Sequence, residues 1–489
     1  MSRETGRTAA LVLITAVELV VFLDATVVNI ALPSIGAALR LDEAGLSWVT
    51  NAYLLAFGGC MLIGGRAADL LGPRRVFTFG LALFTAASTV AGLSGAAWLL
   101  VAARAVQGIA AAVTVPAQLA LLTRAFTEPA ARRRAFAVWG AMGAAGAAIG
   151  TTVGGLLTQG LGWQSIFLVN LPVGALALAL TGRLLPADPP RRPGTRGRLD
   201  LPGAVLGTTG LLLLGYAIGA IADAGTRAAA AVMLAVALVL LTGFAVAETR
   251  AAEPLMPLRL FRIRQVTGSA VVNALIGAAH VPAFALLALY LQNVQHYGPT
   301  RSGLALLPVA LAGLVAARTV IPAANQRFGA RALLAAGLAL QAAALTWLAM
   351  LPSTVNYLVD VLPAALLLGV GLPASFVGVT APAVTSVHPD DAGVTAGIVN
   401  TAQRIGSGLG VTAALVLASA VTGSAGYLAG LRAGFAAAAV LALTGCVLTL
   451  ALLRTGTPTR RRRATRPRSG RTTSGPATST PARPRPPSG

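Results

Sequence analysis

Apolar residues fill this chain in long stretches, and the short connections between them carry most of the charge. A helix needs about 20 apolar residues to cross the roughly 30 Å hydrocarbon layer of a bilayer. Fourteen stretches meet that need, at residues 9–32, 47–64, 76–93, 98–122, 135–157, 165–185, 201–222, 228–246, 266–294, 302–321, 332–351, 358–384, 394–420 and 427–453. Water is absent at that depth, so each stretch must satisfy its own backbone, and the pattern predicts an all-α integral membrane protein of fourteen transmembrane helices. The abundant Ala, Leu, Val and Gly suit close helix contact. The first stretch is too long for a signal-peptide core, contains Asp24 and lacks a convincing cleavage site, so it is expected to be retained.

Composition agrees: of 489 residues 56% are apolar and 11% charged, too little polar surface for a soluble globule. A formal charge of +22 would suit nucleic acid in a soluble protein, but here the arginines follow the connections, and no nucleic-acid partner is expected. With the N-terminus in the cytoplasm, the inner connections receive Arg3, Arg7, Arg66, Arg74, Arg75, Arg124, Arg132, Arg183, Arg250, Arg259, Arg318 and Arg331 among others. The outer ones hold only Arg40, Arg227 and Arg301. This positive-inside asymmetry, with an even number of spans, predicts that both termini are cytoplasmic in the inner cell membrane. Residues 454–489 add ten Arg and no acid amid Pro, Ser, Thr and Gly, and read as a disordered cytoplasmic tail that reinforces topology, is drawn to anionic lipid headgroups or meets a specific partner.

All 37 basic residues are Arg, so the Lys of a phosphate-binding loop or of a Schiff base is missing. Cys60 and Cys446 lie in apolar runs near opposite ends of the chain, and the three His form no paired-ligand spacing. No ATPase, cofactor or metal chemistry is expected, nor any nucleophile, base and orienting group of an enzyme.

A weak internal repeat is also present. Residues 65–77, GRAADLLGPRRVF, are echoed by residues 322–334, PAANQRFGARALL, when Gly72 is set against Gly329 and Arg74 against Arg331. Parallel repeats of six helices are one transporter architecture. The expected organisation is a first six-helix half at 1–185, a Pro/Arg linker at 186–200, two inserted helices at 201–248, a second six-helix half at 249–453 and the tail.

Several stretches resemble the major facilitator superfamily, specifically its fourteen-span drug:proton antiporters. Residues 22–33, FLDATVVNIALP, are close to that family's first-helix signature. Gly65, Asp69, Gly72, Arg74 and Arg75 follow its G-x-x-x-D-x-x-G-x-R-R loop pattern, and Arg104, Gln107 and Gly108 its R-x-x-Q-G. WQSIFLVNLPVG at 163–174 and PLMPLRLF at 254–261 are similar too. Gly146, Gly150, Gly154 and Gly155 match the antiporter helix motif, with Thr151 where that pattern usually has Pro. The resemblance implies a proton-coupled antiporter that exports small amphipathic or lipophilic compounds, antibiotics among them, and works as a monomer. Gln326 stands where the repeat would have an acid, which implies an asymmetric latch resting on Asp69.

The residues themselves support part of this. Asp24 lies nine residues before Pro33, about 13 Å below an outer end placed there, and Arg104 six residues, about 9 Å, into span four. Overlapping depths make them a buried acid and its tuning cation, for proton coupling or substrate, or an ion pair that only fixes packing. Glu18 is turned about 120° from Asp24 on the same helix. It is a second protonation site, a carboxylate that recognises cations, or a neutral acid bonded to a neighbouring helix. His280, near mid-depth in span nine, is a relay or cavity residue or a hydrogen-bonded interior one, and Asn29, Gln107, Asn273, Gln341, Asn400 and Gln403 are polar positions that line a cavity or join helices. Phe22, Phe284, Tyr290 and Phe376 are candidate apolar walls.

The loop at 65–75 has a mechanical reading. Its glycines permit a tight turn, Asp69 is placed to accept from Arg75 or a helix N-terminus, and contacts made in one closure state bias the equilibrium between openings. Gly146, Gly150 and Gly154 recur every four residues and share one face, where a neighbour approaches closely, for sliding or for packing alone. Export or symport of one endogenous metabolite is the alternative within transport. A transport-dead sensor or scaffold is the alternative from another class, disfavoured because it has no need of costly deep charges.

Overall fold

The computed structural model describes residues 3–188, 200–220, 225–251, 256–388 and 391–453. Most of the linker (189–199), Pro254 with its neighbours, and the tail 454–489 lie outside the described residues. The helices are α1 (Arg3–Leu39), α2 (Glu43–Leu71), α3 (Pro73–Gly92), α4 (Ala97–Ala125), α5 (Pro129–Leu161), α6 (Ser165–Leu168) and α7 (Asn170–Leu184). They continue with α8 (Leu201–Ala220), α9 (Arg227–Arg250), α10 (Arg264–Leu289), α11 (Pro299–Arg318), α12 (Val320–Leu348), α13 (Leu362–Thr385), α14 (Ala392–Ala425) and α15 (Tyr427–Leu452). Among the described residues thirteen segments are long and apolar enough to cross a membrane, α6 and α7 counting as one. The 33-residue α5 makes fourteen.

The helices outrun the apolar stretches. α1 continues through Pro33 to Leu39, so Pro33 does not mark the end of the first span. Near this proline, which cannot donate to the carbonyl four residues back, the Ile30 carbonyl accepts from Gln292 Nε2 at 2.9 Å. The sixth span is broken after Leu168, and Asn170 begins its second segment. Large apolar side chains such as Phe79, Trp98 and Val239 stand more than half exposed on the outside of the bundle, where lipid tails meet them.

In the first half α1 packs on α5 and α4 on both α2 and α3; in the second, α10 packs on α14 and α12 on α13. Between the halves the main pairs are α2 with α14 and α5 with α11. Counted within each half, these are span two against span five and span five against span two, the same joint made twice. The inserted helices pair with each other, and α8 alone leans on the seam between α2 and α14. Cys60 Sγ and Thr208 Oγ1 meet there at 3.4 Å.

The turns repeat as well. Four glycines among the described residues have positive φ: Gly72 at 98°, Gly162 at 84°, Gly329 at 81° and Gly426 at 92°. Gly72 and Gly329 make the turn between the second and third spans of their halves, Gly162 and Gly426 that between the fifth and sixth. A side chain is strained in that region, so the turns hold glycine. Arg74 Nη2 reaches the Gly182 carbonyl at the end of α7 at 2.8 Å, and Arg331 Nη2 the Leu450 carbonyl at the end of α15. Each arginine thereby serves orphan carbonyls at a helix C-terminus.

Candidate functional site

At mid-depth in the first half a charge network is sealed from solvent. Arg104 Nη1 donates to Asp24 Oδ2 at 2.5 Å, and both side chains are 0% exposed. Asp24 Oδ1 accepts from Asn170 Nδ2 at 2.7 Å and Gln107 Nε2 at 3.2 Å. Both amides also donate to Ser88 Oγ, at 3.3 and 2.7 Å. Arg104 is held further by the Val49 carbonyl, by Gln107 Oε1 and by the ring of Tyr53, 4.3 Å from its guanidinium carbon. Five spans contribute, so a change in the charge of Asp24 acts on the packing of the whole half.

Asn170 was not singled out in the sequence, although it lies in the stretch WQSIFLVNLPVG. A lone Asn beside Pro172 carries no sign of its partner. The break between α6 and α7 turns it inward.

A second group of residues lies on the seam between the halves. Glu18 on α1 is buried, within hydrogen-bonding reach of Trp139 of α5, and its Oε2 has no partner. Trp139 Nε1 donates to Gln118 Oε1 at 2.7 Å. Phe22, one turn beyond Glu18, is half-buried, as are His280, Phe376 and Arg404; Phe284 and Asn400 are half-buried too, Phe284 against the core of the second half. His280 Nδ1 meets the Ile276 carbonyl at 2.8 Å, and its ring stands edge-on to Phe376 at 5.5 Å. Arg404 also passed unnoticed in the sequence; it reaches from α14 to the rings of Phe22 and Phe57, at 5.1 and 4.5 Å.

Other expected lining residues stand elsewhere. Gln107 belongs to the Asp24 network, and Asn29 is buried. Tyr290 is buried in the core of the second half, its hydroxyl donating to the Pro352 carbonyl at 2.6 Å, so it walls no open space. Asn400 donates within its own helix, to the Ala396 carbonyl at 3.0 Å. Asn273 joins helices, Nδ2 donating to the Val399 carbonyl at 2.8 Å, and Gln341 donates to Ser375 Oγ at 2.5 Å.

The loop after α2 is latched, but by another acid than Asp69. Asp69 is exposed and makes no hydrogen bond or ion pair among the described residues. Asp188, at the start of the linker, accepts from the backbone N–H of Arg74 and of Arg75 at 3.0 Å each, and from Arg124 Nη1 at 3.2 Å. It stands at the N-terminus of α3, where unsatisfied N–H groups and the helix dipole favour a carboxylate. A Cβ on Gly72 would lie 2.4 Å from Asp188 Cγ, so the glycine gives room for this cap. Arg75 contributes its backbone to the latch and keeps its side chain exposed. Gly65 faces Pro116 with space to spare.

The glycine stripe of α5 finds its neighbour in α1. A Cβ on Gly146, Gly150 or Gly154 would lie 2.3, 2.2 and 2.7 Å from Leu19, Thr26 and Val27. Gly155 turns to α11 instead, where a Cβ would meet the Pro299 carbonyl at 2.4 Å. Polar contacts between the halves gather on the side away from the termini: Asn51 to Thr412 at 2.6 Å, Thr300 N–H to Gln159 Oε1 at 3.1 Å, and Gln292 to Ile30. Among the described residues no cluster of His, Cys, Asp and Glu is arranged to hold a metal ion.

Fourteen membrane helices in two halves around buried charge define a transporter of the membrane, not an enzyme. The profile of the Major Facilitator Superfamily matches residues 14–411, and the chain belongs to this family. It is 42% identical over 433 residues, 88% of each chain, to a cephamycin export protein of Amycolatopsis lactamdurans. With a puromycin resistance protein of Streptomyces alboniger it shares 41% over 422 residues, 86% of this chain and 83% of the relative. Among solved structures, a bacterial homologue of the lysosomal transporter Spinster, inward-facing and unoccupied, is similar in fold. Its TM-score is 0.64 at 16% identity, over 92% of this chain and 97% of that one.

Proposed function

We propose that this protein is a proton-driven antiporter that exports small amphipathic or lipophilic compounds, antibiotics among them, across the cytoplasmic membrane. The observation that carries this reading is the sealed Asp24–Arg104 pair with its amide ligands. A charge pair at this depth is costly, and its cost is offset when charge and conformation must change together. Protonating Asp24 removes the attraction for Arg104 and two amide donors from other spans, so the proton biases the first half toward another arrangement. The cephamycin and puromycin relatives support the class of cargo. The half-buried Phe22, Phe284 and Phe376 suit an apolar body, and Glu18 is the further candidate for a coupling proton.

The arginine asymmetry supports cytoplasmic termini. With that orientation the polar contacts between the halves lie on the outer side, as in a transporter closed to the outside, and this supports entry of cargo from the cytoplasm. The Asp188 latch and the α5 stripe are then parts of the gate, in which α1 and α5 move together against α11. A monomer holds the whole path. The test is substrate-dependent proton movement in liposomes: the parent exchanges protons for substrate, and Asp24→Asn binds a neutral substrate yet moves neither against a pH gradient. Coupled exchange by Asp24→Asn at the parent rate overturns the reading.

A further inference from the structure

Arg404 is out of keeping with its surroundings. It lies thirteen residues into the 34-residue α14, about 18 Å from the start of that helix and about 32 Å from its end by helix rise, and it is half-buried. Arginines at such depth are paired with a carboxylate or with carbonyls, as Arg104 is with Asp24 and Val49. Arg404 makes no hydrogen bond or ion pair with any described residue. Phe22 and Phe57, from the opposite half, attract its charge through their rings and offer no oxygen. The groups within electrostatic range are Glu18, Tyr53 and His280. Glu18 is the single acid among them, and it is sealed on the side of Trp139, beyond salt-bridge distance. The acid is closed off and the cation stays open.

The position is also built. A Cβ on Gly58 of α2 would lie 3.1 Å from Cβ of Arg404, so a glycine allows α14 to bring this side chain up to the first half. Its guanidinium offers donors in a planar fork that matches a carboxylate. Beside it is the ring of Phe22, and His280, within its electrostatic range, stands edge-on to Phe376, so rings are at hand for the rest of a ligand.

We propose that Arg404 is the recognition group for a carboxylate on the transported compound, which bridges the two halves by pairing its anion with Arg404 and laying its apolar body against Phe22. The substrate class is thereby amphipathic organic acids or zwitterions. This deepens the export reading and rests on it for transport, while recognition itself is a matter of binding.

The test uses the full chain in lipid nanodiscs and a matched pair of probes, 1-naphthaleneacetate and its neutral primary amide, with binding to empty nanodiscs subtracted. The parent is expected to prefer the carboxylate by about tenfold or more, the size of one hydrogen bond to a charged group. Arg404→Gln removes that preference and leaves the amide within about threefold of the parent. Arg404→Lys, which keeps the charge without the fork, retains an intermediate preference and serves if Arg404→Gln does not fold. Glu18→Gln leaves the preference in place. Equal binding of both probes by the parent, no binding of either, an equal loss of both in Arg404→Gln, or loss of preference in Glu18→Gln each overturns the proposal. Flux of the same pair in liposomes separates the two readings. Preferential binding without export refutes the export reading alone, and export without preference refutes the role of Arg404 alone.

Discussion

The two six-helix halves share a backbone plan and differ in their charges. Both turn on glycines of positive φ at the same two places, both tie an arginine after the first of these turns to the last carbonyls of their sixth span, and they meet through the same pair of spans taken twice. The first half then buries a complete ion pair with amide ligands, whereas the second buries Gln341 and Ser375 on neutral partners and projects into the seam an arginine with no ion pair among the described residues. The duplicated parts suit a rocking of one half against the other, a task symmetric by nature. On the proposed reading the chemistry needs no such symmetry, because one coupling acid and one recognition group suffice for a single path.

The largest effect expected from this contrast is at Asp24. Asp24→Asn removes the charge change while nearly keeping shape, so flux driven by a pH gradient falls to background, whereas Gln341→Ala in the second half leaves coupling ratios unchanged. Proton and substrate fluxes in liposomes measure both, and uncoupling by Gln341→Ala would erase the asymmetry. Next comes Arg104→Ala, which strands a buried carboxylate at a cost of about 3–5 kcal/mol. It should lower thermal stability sharply, with Arg104→Lys restoring only part because an ammonium lacks the planar fork.

A smaller effect tests the shared frame. Gly72→Ala and Gly329→Ala both place a side chain at positive φ, at about 1–2 kcal/mol each, but only the first also displaces a carboxylate cap. The melting temperature should therefore drop further for Gly72→Ala; equal drops would mean that the Asp188 latch contributes nothing. Asp188→Ala itself should cost about 1–2 kcal/mol, as for loss of a helix N-cap, and should lower turnover more than ligand affinity. Asp69→Ala should leave stability unchanged, and if Asp69 latches the other closure state it lowers turnover alone. The smallest effect is expected from removing residues 458–489, which have no apolar face to pack. Transport should persist, and loss of transport at normal membrane abundance would give the tail a partner.

The fourteen spans, the repeat between residues 65–77 and 322–334 and the shared level of Asp24 and Arg104 were legible in the chain, because crossing lipid demands length and apolarity that leave a local imprint. Partners of the buried groups left no such imprint. Asn170 ligates Asp24 across 146 positions and Asp188 caps α3 across 114, distances over which no periodicity or motif connects two polar residues. Pro33 reads as a helix end in one dimension, yet the helix continues, with Gln292 from the other half at the carbonyl near it. Arg404 went unnoticed for the same reason: a residue beside Gln403 in a long apolar span shows its isolation only when the elements around it are in place. Local physics thus decided which segments enter the membrane, and packing decided which charges find partners there among the described residues.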